Sequence, residues 1–215
     1  MQMRIKLNLN IFLFLILFLL TNQIEIYALV MLFAFIHELA HMFLGIILGY
    51  KPEILKIMPY GFCIEFKAMI GDYNKKIIKS NLLAVKKIII ALAGPIINLL
   101  IVVLGIILDF NSNIMYSNLL IFLFNLIPIH PLDGARIVNN ILKIFFGNRK
   151  ANKYMNHITN TLFILLTAIS SILVLIYKNI SILIIIMVIW SLVIKENRKY
   201  YTYNKIYKII DKTYN

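Results

Sequence analysis

Cysteine is nearly missing from this chain: Cys63 is the one copy in 215 residues. An intrachain disulfide and a zinc site built from several thiolates are therefore excluded. Acidic side chains are scarce, nine Asp and Glu against 22 Lys and Arg, and there are only four histidines. Polar stretches long enough for a separate soluble domain are lacking too. The composition is 61% hydrophobic with a mean hydropathy of +0.87, against about 45–50% apolar in a soluble domain. The expected class is an all-α polytopic membrane protein. A net charge of +13 would suggest nucleic acid in a soluble protein. Here the charges fall in loops between apolar runs, so nucleic acid is not expected as a partner.

Apolar runs occupy residues 8–20, 27–48, 88–108, 114–129, 158–177 and 180–194. Each is near the roughly 20 residues that a spanning helix needs, though two or three are short, which predicts about six transmembrane helices. The first run follows Arg4 and Lys6 like a signal peptide, yet Thr21–Glu25 offers no small-residue cleavage site, so it is read as a helix. In a six-span arrangement, 21 of the 22 basic residues fall on one side, with Lys178 opposite alongside Glu25 and Asp109. The positive-inside rule then puts both termini and the two long loops in the cytoplasm. The expected domains are a six-helix unit over 1–194 and a basic, Tyr-rich cytoplasmic tail over 195–215. Lys75, Lys76, Lys79, Lys86, Lys87 and the tail cations would attract anionic lipid at about 1 kcal/mol per charge. Tyr200, Tyr201, Tyr203 and Tyr207 resemble interfacial aromatics.

Ionisable groups are rare in the apolar runs, and three of them share one turn. His37-Glu38-Leu39-Ala40-His41 lies inside the second run. Histidines four apart on a helix point the same way, about one 5.4 Å turn apart. That suits two imidazole ligands on one Zn²⁺, with the glutamate placed to act on metal-bound water. Ionisable residues at membrane depth cost about 2.5–3.5 kcal/mol each on insertion scales, so they are functional by default. A buried His–Glu–His cluster that only joins helices is the bland alternative. A lone histidine would suit it better than three ionisable groups in one turn do.

A catalytic zinc needs a third protein ligand and an open position for water. Asp133, in Pro128-Ile129-His130-Pro131-Leu132-Asp133-Gly134, is the preferred candidate, with His130 behind it and His157 the remaining histidine. The two prolines stiffen the segment and Gly134 allows a tight turn after the aspartate. The same aspartate also reads as the N-cap of a helix over 135–146.

His37-Glu38-Leu39-Ala40-His41, Ala93-Gly94-Pro95-Ile96-Ile97-Asn98 and the stretch from Asn125 to Ile137 occur in the order seen in site-2-protease intramembrane zinc metalloproteases. The chain most resembles the sporulation branch, the stage IV sporulation protein FB group. The resemblance implies Zn²⁺ on His37, His41 and Asp133, with Glu38 catalytic. It also supports Asn125 as a substrate- or transition-state-contacting residue, and Pro128 and Pro131 are placed with it at the substrate. The implied substrate is a membrane-associated precursor of a sigma factor, cleaved during sporulation, in a bacterial inner or forespore membrane where inhibitor proteins could gate access. That branch often carries a C-terminal CBS domain with no counterpart before Asn215, so ATP regulation through one is not expected. The inserted PDZ domain of the stress-response branch has no counterpart either.

Chemistry alone gives a consistent scheme. Zinc lowers the pKa of its water towards about 7, Glu38 takes the proton and later delivers it to the leaving amine, and Asn125 is the natural oxyanion donor. Asn125 and Asn98 equally read as interhelical hydrogen-bonding residues, and Asn98 is assigned to structure. Gly94-Pro95 interrupts the third run and allows close helix approach. After Met58-Pro59-Tyr60-Gly61, the apolar Phe62, Ile64 and Phe66 alternate with Cys63, Glu65 and Lys67. Period-two alternation after a Pro/Gly turn predicts a strand. A small membrane-associated β-hairpin or re-entrant segment after the second helix is expected, placed at the membrane surface with its free edge pairing with substrate backbone. The opposing class is a membrane metal transporter or an inactive scaffold. Transporters also carry midplane carboxylates and histidines, often in internal repeats, but the His-Glu-His pattern has no second copy here.

Overall fold

The computed structural model describes residues 3–59, 61–67, 77–177, 187, 190, 191, 193–202 and 205. The chain forms two compact units, Met1–Leu126 and Ile127–Asn215. The first holds β1 (Arg4–Leu7), α1 (Asn10–Leu20), α2 (Ile24–Ile47), β2 (Pro52–Met58), β3 (Gly61–Phe66), α3 (Ile77–Ile107) and α4 (Ser112–Leu126). The second holds α5 (Asp133–Tyr177), which breaks at Gly147 (φ 74°, ψ 167°). Residues 193–202 are helical as well, and Asn197 Nδ2 donates to Asn160 Oδ1 of α5 at 3.0 Å.

Three helices end by the same device. After α2, Gly49 takes φ 89°, its N–H donates to Ile46 O at 2.9 Å, and Tyr50 N–H donates to Gly45 O at 2.9 Å. This paired capping satisfies carbonyls that the last turn would leave orphaned. Asn22 (φ 55°) closes α1 in the same manner, and Asp109 (φ 54°) sits at the corresponding position after α3. Asn and Asp are the non-glycine residues that enter this left-handed region most readily. These stops allow α1–α2 and α3–α4 to be joined by a few residues each. At the start of α4, Asn111 Oδ1 accepts from Asn113 N–H at 3.0 Å, an N-cap.

Among the described residues the first five apolar runs become helices of unequal length. Three helical segments are long and apolar enough to cross a membrane: Ile24–Ile47, Asn81–Ile107 and Asp133–Ile176. The first and fourth runs form α1 and α4, of 11 and 15 residues. At 1.5 Å per residue those are about 16 and 22 Å, short of a hydrocarbon core of about 30 Å. The sixth run, 180–194, lies mostly outside the described residues, as do Lys178, Lys75, Lys76 and the tail tyrosines 203 and 207.

The hairpin is present and has a third strand that the sequence did not signal. β2 and β3 pair antiparallel, with Leu55 opposite Ile64 and Ile57 opposite Phe62. β1 pairs parallel with β2, Arg4 opposite Ile54 through Leu7 opposite Ile57, giving the order β1-β2-β3. Arg4 and Glu53 bridge across that pair at 2.7 Å, and Lys56 pairs with Glu65 across β2–β3. The hairpin follows α2. Phe66 packs where Gly45 leaves room, Ile64 meets Glu38, Phe62 meets Phe35 at a ring separation of 5.0 Å, and Pro59 O accepts from the buried Tyr27 hydroxyl at 2.8 Å. Gly45 and Tyr27 are 18 residues apart, about 27 Å of helix. The hairpin therefore runs alongside most of the length of α2. A Cβ on Gly45 would fall inside 3.0 Å of the Phe66 ring, so only glycine admits this packing.

Candidate metal centre

α2 carries the ionisable turn on its buried face: His37, Glu38 and His41 are all buried. The Nε2 atoms of the two histidines lie 3.1 Å apart, with the rings edge to face. Two imidazole nitrogens bound at about 2.0–2.1 Å to one tetrahedral ion need a separation close to this. Each ring is held from behind. His41 Nδ1–H donates to Ile90 O of α3 at 2.7 Å, and His37 Nδ1–H donates to Asn98 Oδ1 at 2.6 Å. A backbone carbonyl only accepts, so His41 carries its proton on Nδ1 and turns the Nε2 lone pair towards His37. Supporting acceptors of this kind orient histidine ligands and raise their basicity.

α3 supplies the floor. A Cβ built on Gly94 would fall inside 3.0 Å of His37 Nε2 and His41 Nε2 alike. The space beside those nitrogens is thus kept open by the lack of a side chain. Pro95, fully buried inside α3, has no N–H to return to the carbonyl four residues back, which loosens the helix beside Ile90. Asn98 is fully buried and its Nδ2 donates to Asn118 Oδ1 of α4 at 2.8 Å; Asn118 is fully buried too, and its own Nδ2 donates to Ile114 O at 2.9 Å. Asn98 therefore makes interhelical hydrogen bonds, as assigned from sequence, and one of them stands behind a candidate ligand. Asn118 went unnoticed there, although a carboxamide inside an apolar helix was the available signal.

Glu38 points towards the sheet. Its Oε1 accepts from Ile64 N–H of β3 at 2.5 Å. Ile64 lies opposite Leu55 but turns its N–H away from β2, so the carboxylate takes a donor on the outer edge of the sheet. At bilayer depth such a group needs a partner within protein.

Asn125, near the end of α4, donates its Nδ2 to Ile121 O of its own helix at 3.0 Å and is half-buried. In the second unit, Pro128 is half-buried and Pro131 exposed, in the non-helical stretch before α5. Asp133 is the first residue of α5 and buried, with Arg136 Nη1 3.4 Å from its Oδ1. The aspartate thus stands in the first turn of the helix. His130 is half-buried in the same stretch. Burial holds its imidazole below the ordinary value, as do Arg136, Lys143 and Lys199, against the opposite pull of Glu196. His157 is exposed on α5.

The fold of the chain has a solved counterpart. A site-2 protease from Methanocaldococcus jannaschii superposes with a TM-score of 0.65 at 24% identity, covering 89% of each chain. The fold is that of a site-2 protease. The profile of Peptidase family M50 matches residues 105–169. A zinc metalloprotease of Methanocaldococcus jannaschii is 28% identical over 148 residues, 64% of this chain and 40% of that protein. YwhC of Bacillus subtilis, named among the zinc metalloproteases, is 27% identical over 141 residues, 49% of this chain and 64% of that protein. The chain thus spans 40% and 64% of the length of these two relatives. Together the comparisons show likeness to Peptidase family M50, to zinc metalloproteases and to a site-2 protease fold. The stage IV sporulation branch in particular finds no support among them.

Proposed function

We propose that this chain is an intramembrane zinc endopeptidase that cleaves a membrane-associated protein precursor. One observation carries the reading: two buried imidazoles with facing Nε2 atoms 3.1 Å apart, beside a buried glutamate, on a helix long enough to cross a bilayer. His37 and His41 would hold the ion. Asp133 is proposed as the third ligand, supported by its burial at the start of α5, its place within the matched 105–169 segment and the likeness of its surrounding motif. Zinc, when bound, lowers the pKa of water and polarises a peptide carbonyl. Glu38 receives the proton of the attacking water and returns it to the leaving amide nitrogen, while its tie to Ile64 fixes the carboxylate against β3. Asn125 and the Pro128–Pro131 stretch are proposed to contact the extended substrate.

A helical substrate has its amides already paired and must be opened before it is cut. The outer edge of β3 is proposed to take that extended segment as an added strand, which the position of the hairpin alongside α2 favours. A sigma-factor precursor is the proposed substrate, on the strength of the sporulation-branch motifs, with both termini of the protease cytoplasmic on the strength of the charge distribution. The test is co-expression with candidate precursors, looking for a zinc-dependent shortened product that the Glu38→Gln variant fails to make. Undiminished cleavage by that variant overturns the reading.

A further inference from the structure

The two asparagines behind His37 form a chain with a direction. Asn118 Nδ2 donates to Ile114 O at 2.9 Å, and a backbone carbonyl can only accept. Asn118 therefore faces Asn98 with its oxygen. Asn98 Nδ2 donates to that oxygen at 2.8 Å, so Asn98 in turn faces His37 with Oδ1, 2.6 Å from Nδ1. An amide flip at either residue would set two donors or two acceptors against each other in a fully buried place, at the cost of an unmade hydrogen bond. The order of donors runs from a main-chain carbonyl of α4, through α3, to a ring on α2.

We infer that Asn118 is a positioning residue for the metal centre: it fixes the orientation of Asn98 and so commits His37 to carrying its proton on Nδ1 and its lone pair on Nε2. Asn118 does not touch the ring. It acts because an Asn98 carboxamide released from it is free to turn and offer Nδ2–H to His37 Nδ1. That pose favours the Nε2–H tautomer, which cannot ligate through Nε2. The two histidines thus have unequal support. His41 is committed by a backbone carbonyl that no substitution removes, and His37 by a side chain that itself depends on a second one in the hydrogen-bond chain. This assignment rests on the zinc reading of the site.

The experiment measures the zinc dissociation constant of the purified chain in detergent by competition with a chelator. Variants are Asn118→Leu, Asn118→Asp, Asn98→Asp and the double variant Asn98→Asp/Asn118→Leu. Asn118→Leu is expected to weaken zinc about ten- to a hundredfold, the usual cost of removing support behind a ligand. Asn118→Asp keeps an acceptor towards Asn98 and is expected to stay within about threefold of the parent. An aspartate at position 98 has two accepting oxygens and no orientation to be set. Asn118→Leu made on top of Asn98→Asp is therefore expected to cost nothing further. A penalty for Asn118→Leu that is equally large with and without Asn98→Asp, or an Asn118→Leu variant as tight as the parent, overturns the inference. If Asn118→Leu does not fold, zinc loss of ten- to a hundredfold in Asn118→Asp overturns it alone. Failure of the parent chain to bind zinc at all is the separate result that removes the zinc reading itself.

Discussion

The carboxylate of Glu38 and the backbone of Ile64 are joined at 2.5 Å, helix α2 to the outer edge of β3. The proposed base is thus held by a strand of the same unit. Ile64→Pro removes the N–H that the Glu38 carboxylate accepts. An unmade hydrogen bond to a charged group costs about 1.5–3 kcal/mol, so cleavage is expected to fall about ten- to a hundredfold. Zinc content should not change, and Ile64→Val should behave as the parent. Zinc analysis beside a cleavage assay decides it; equal activity in Ile64→Pro means that the contact has no part in the reaction.

Glu38→Gln separates binding from chemistry. The amide keeps an oxygen for Ile64 N–H and leaves His37 and His41 untouched, so zinc should stay. Loss of proton transfer should lower turnover about 10²–10⁴-fold. A transporter would instead show altered metal flux across vesicles.

Gly94→Ala is the smallest change that should empty the site. The added methyl falls inside 3.0 Å of both Nε2 atoms, where a ligand nitrogen must face its ion. Zinc stoichiometry is expected to drop well below one per chain, with helix content unchanged by circular dichroism. Gly147→Ala is the contrasting control. Nothing lies within 4 Å of its added methyl, but φ is 74°, so the cost is about 1–2 kcal/mol of conformational strain with zinc retained.

Chelation should abolish cleavage reversibly. Ligand imidazoles must be neutral to bind, so zinc should be held less tightly in acid than at neutral pH. Activity restored by Zn²⁺ at neutral pH, and not by Mg²⁺, is the expected outcome. Cleavage that survives prolonged chelation counts against a metal mechanism.

Serine at Phe62, Ile64 and Phe66 together tests the hairpin. Phe62 packs on Phe35, and Phe66 fills the gap at Gly45. Loss of cleavage with zinc retained is expected if β3 receives the substrate. Unchanged cleavage removes that role.

What the sequence made legible was local. The His37–His41 spacing follows from helix geometry, and the alternation at Phe62, Ile64 and Phe66 from strand geometry, so both could be read from periodicity. β1 could not be read that way, because four residues within an N-terminal basic stretch carry no period, and its partner β2 lies far along the chain, Arg4 facing Ile54. The course of the hairpin along α2 was hidden as well. It depends on Gly45 and Tyr27 meeting residues far away in sequence, and composition sees only a polar-flanked loop. Asn98 and Asn118 looked alike as isolated carboxamides. Their difference comes from which neighbour each one faces, a property of three helices packed together.

The parallel pairing of β1 with β2 bears on orientation without counting later crossings. Both strands advance in one direction, so the return through α2, of 24 residues, must exceed the way out through α1, of 11 residues, by the length of a strand. Arg4 and Glu53 are consequently expected to meet the same aqueous compartment. A label placed before Arg4 and another beside Lys51 should therefore respond together to a reagent that cannot permeate the lipid, whichever leaflet that reagent meets first.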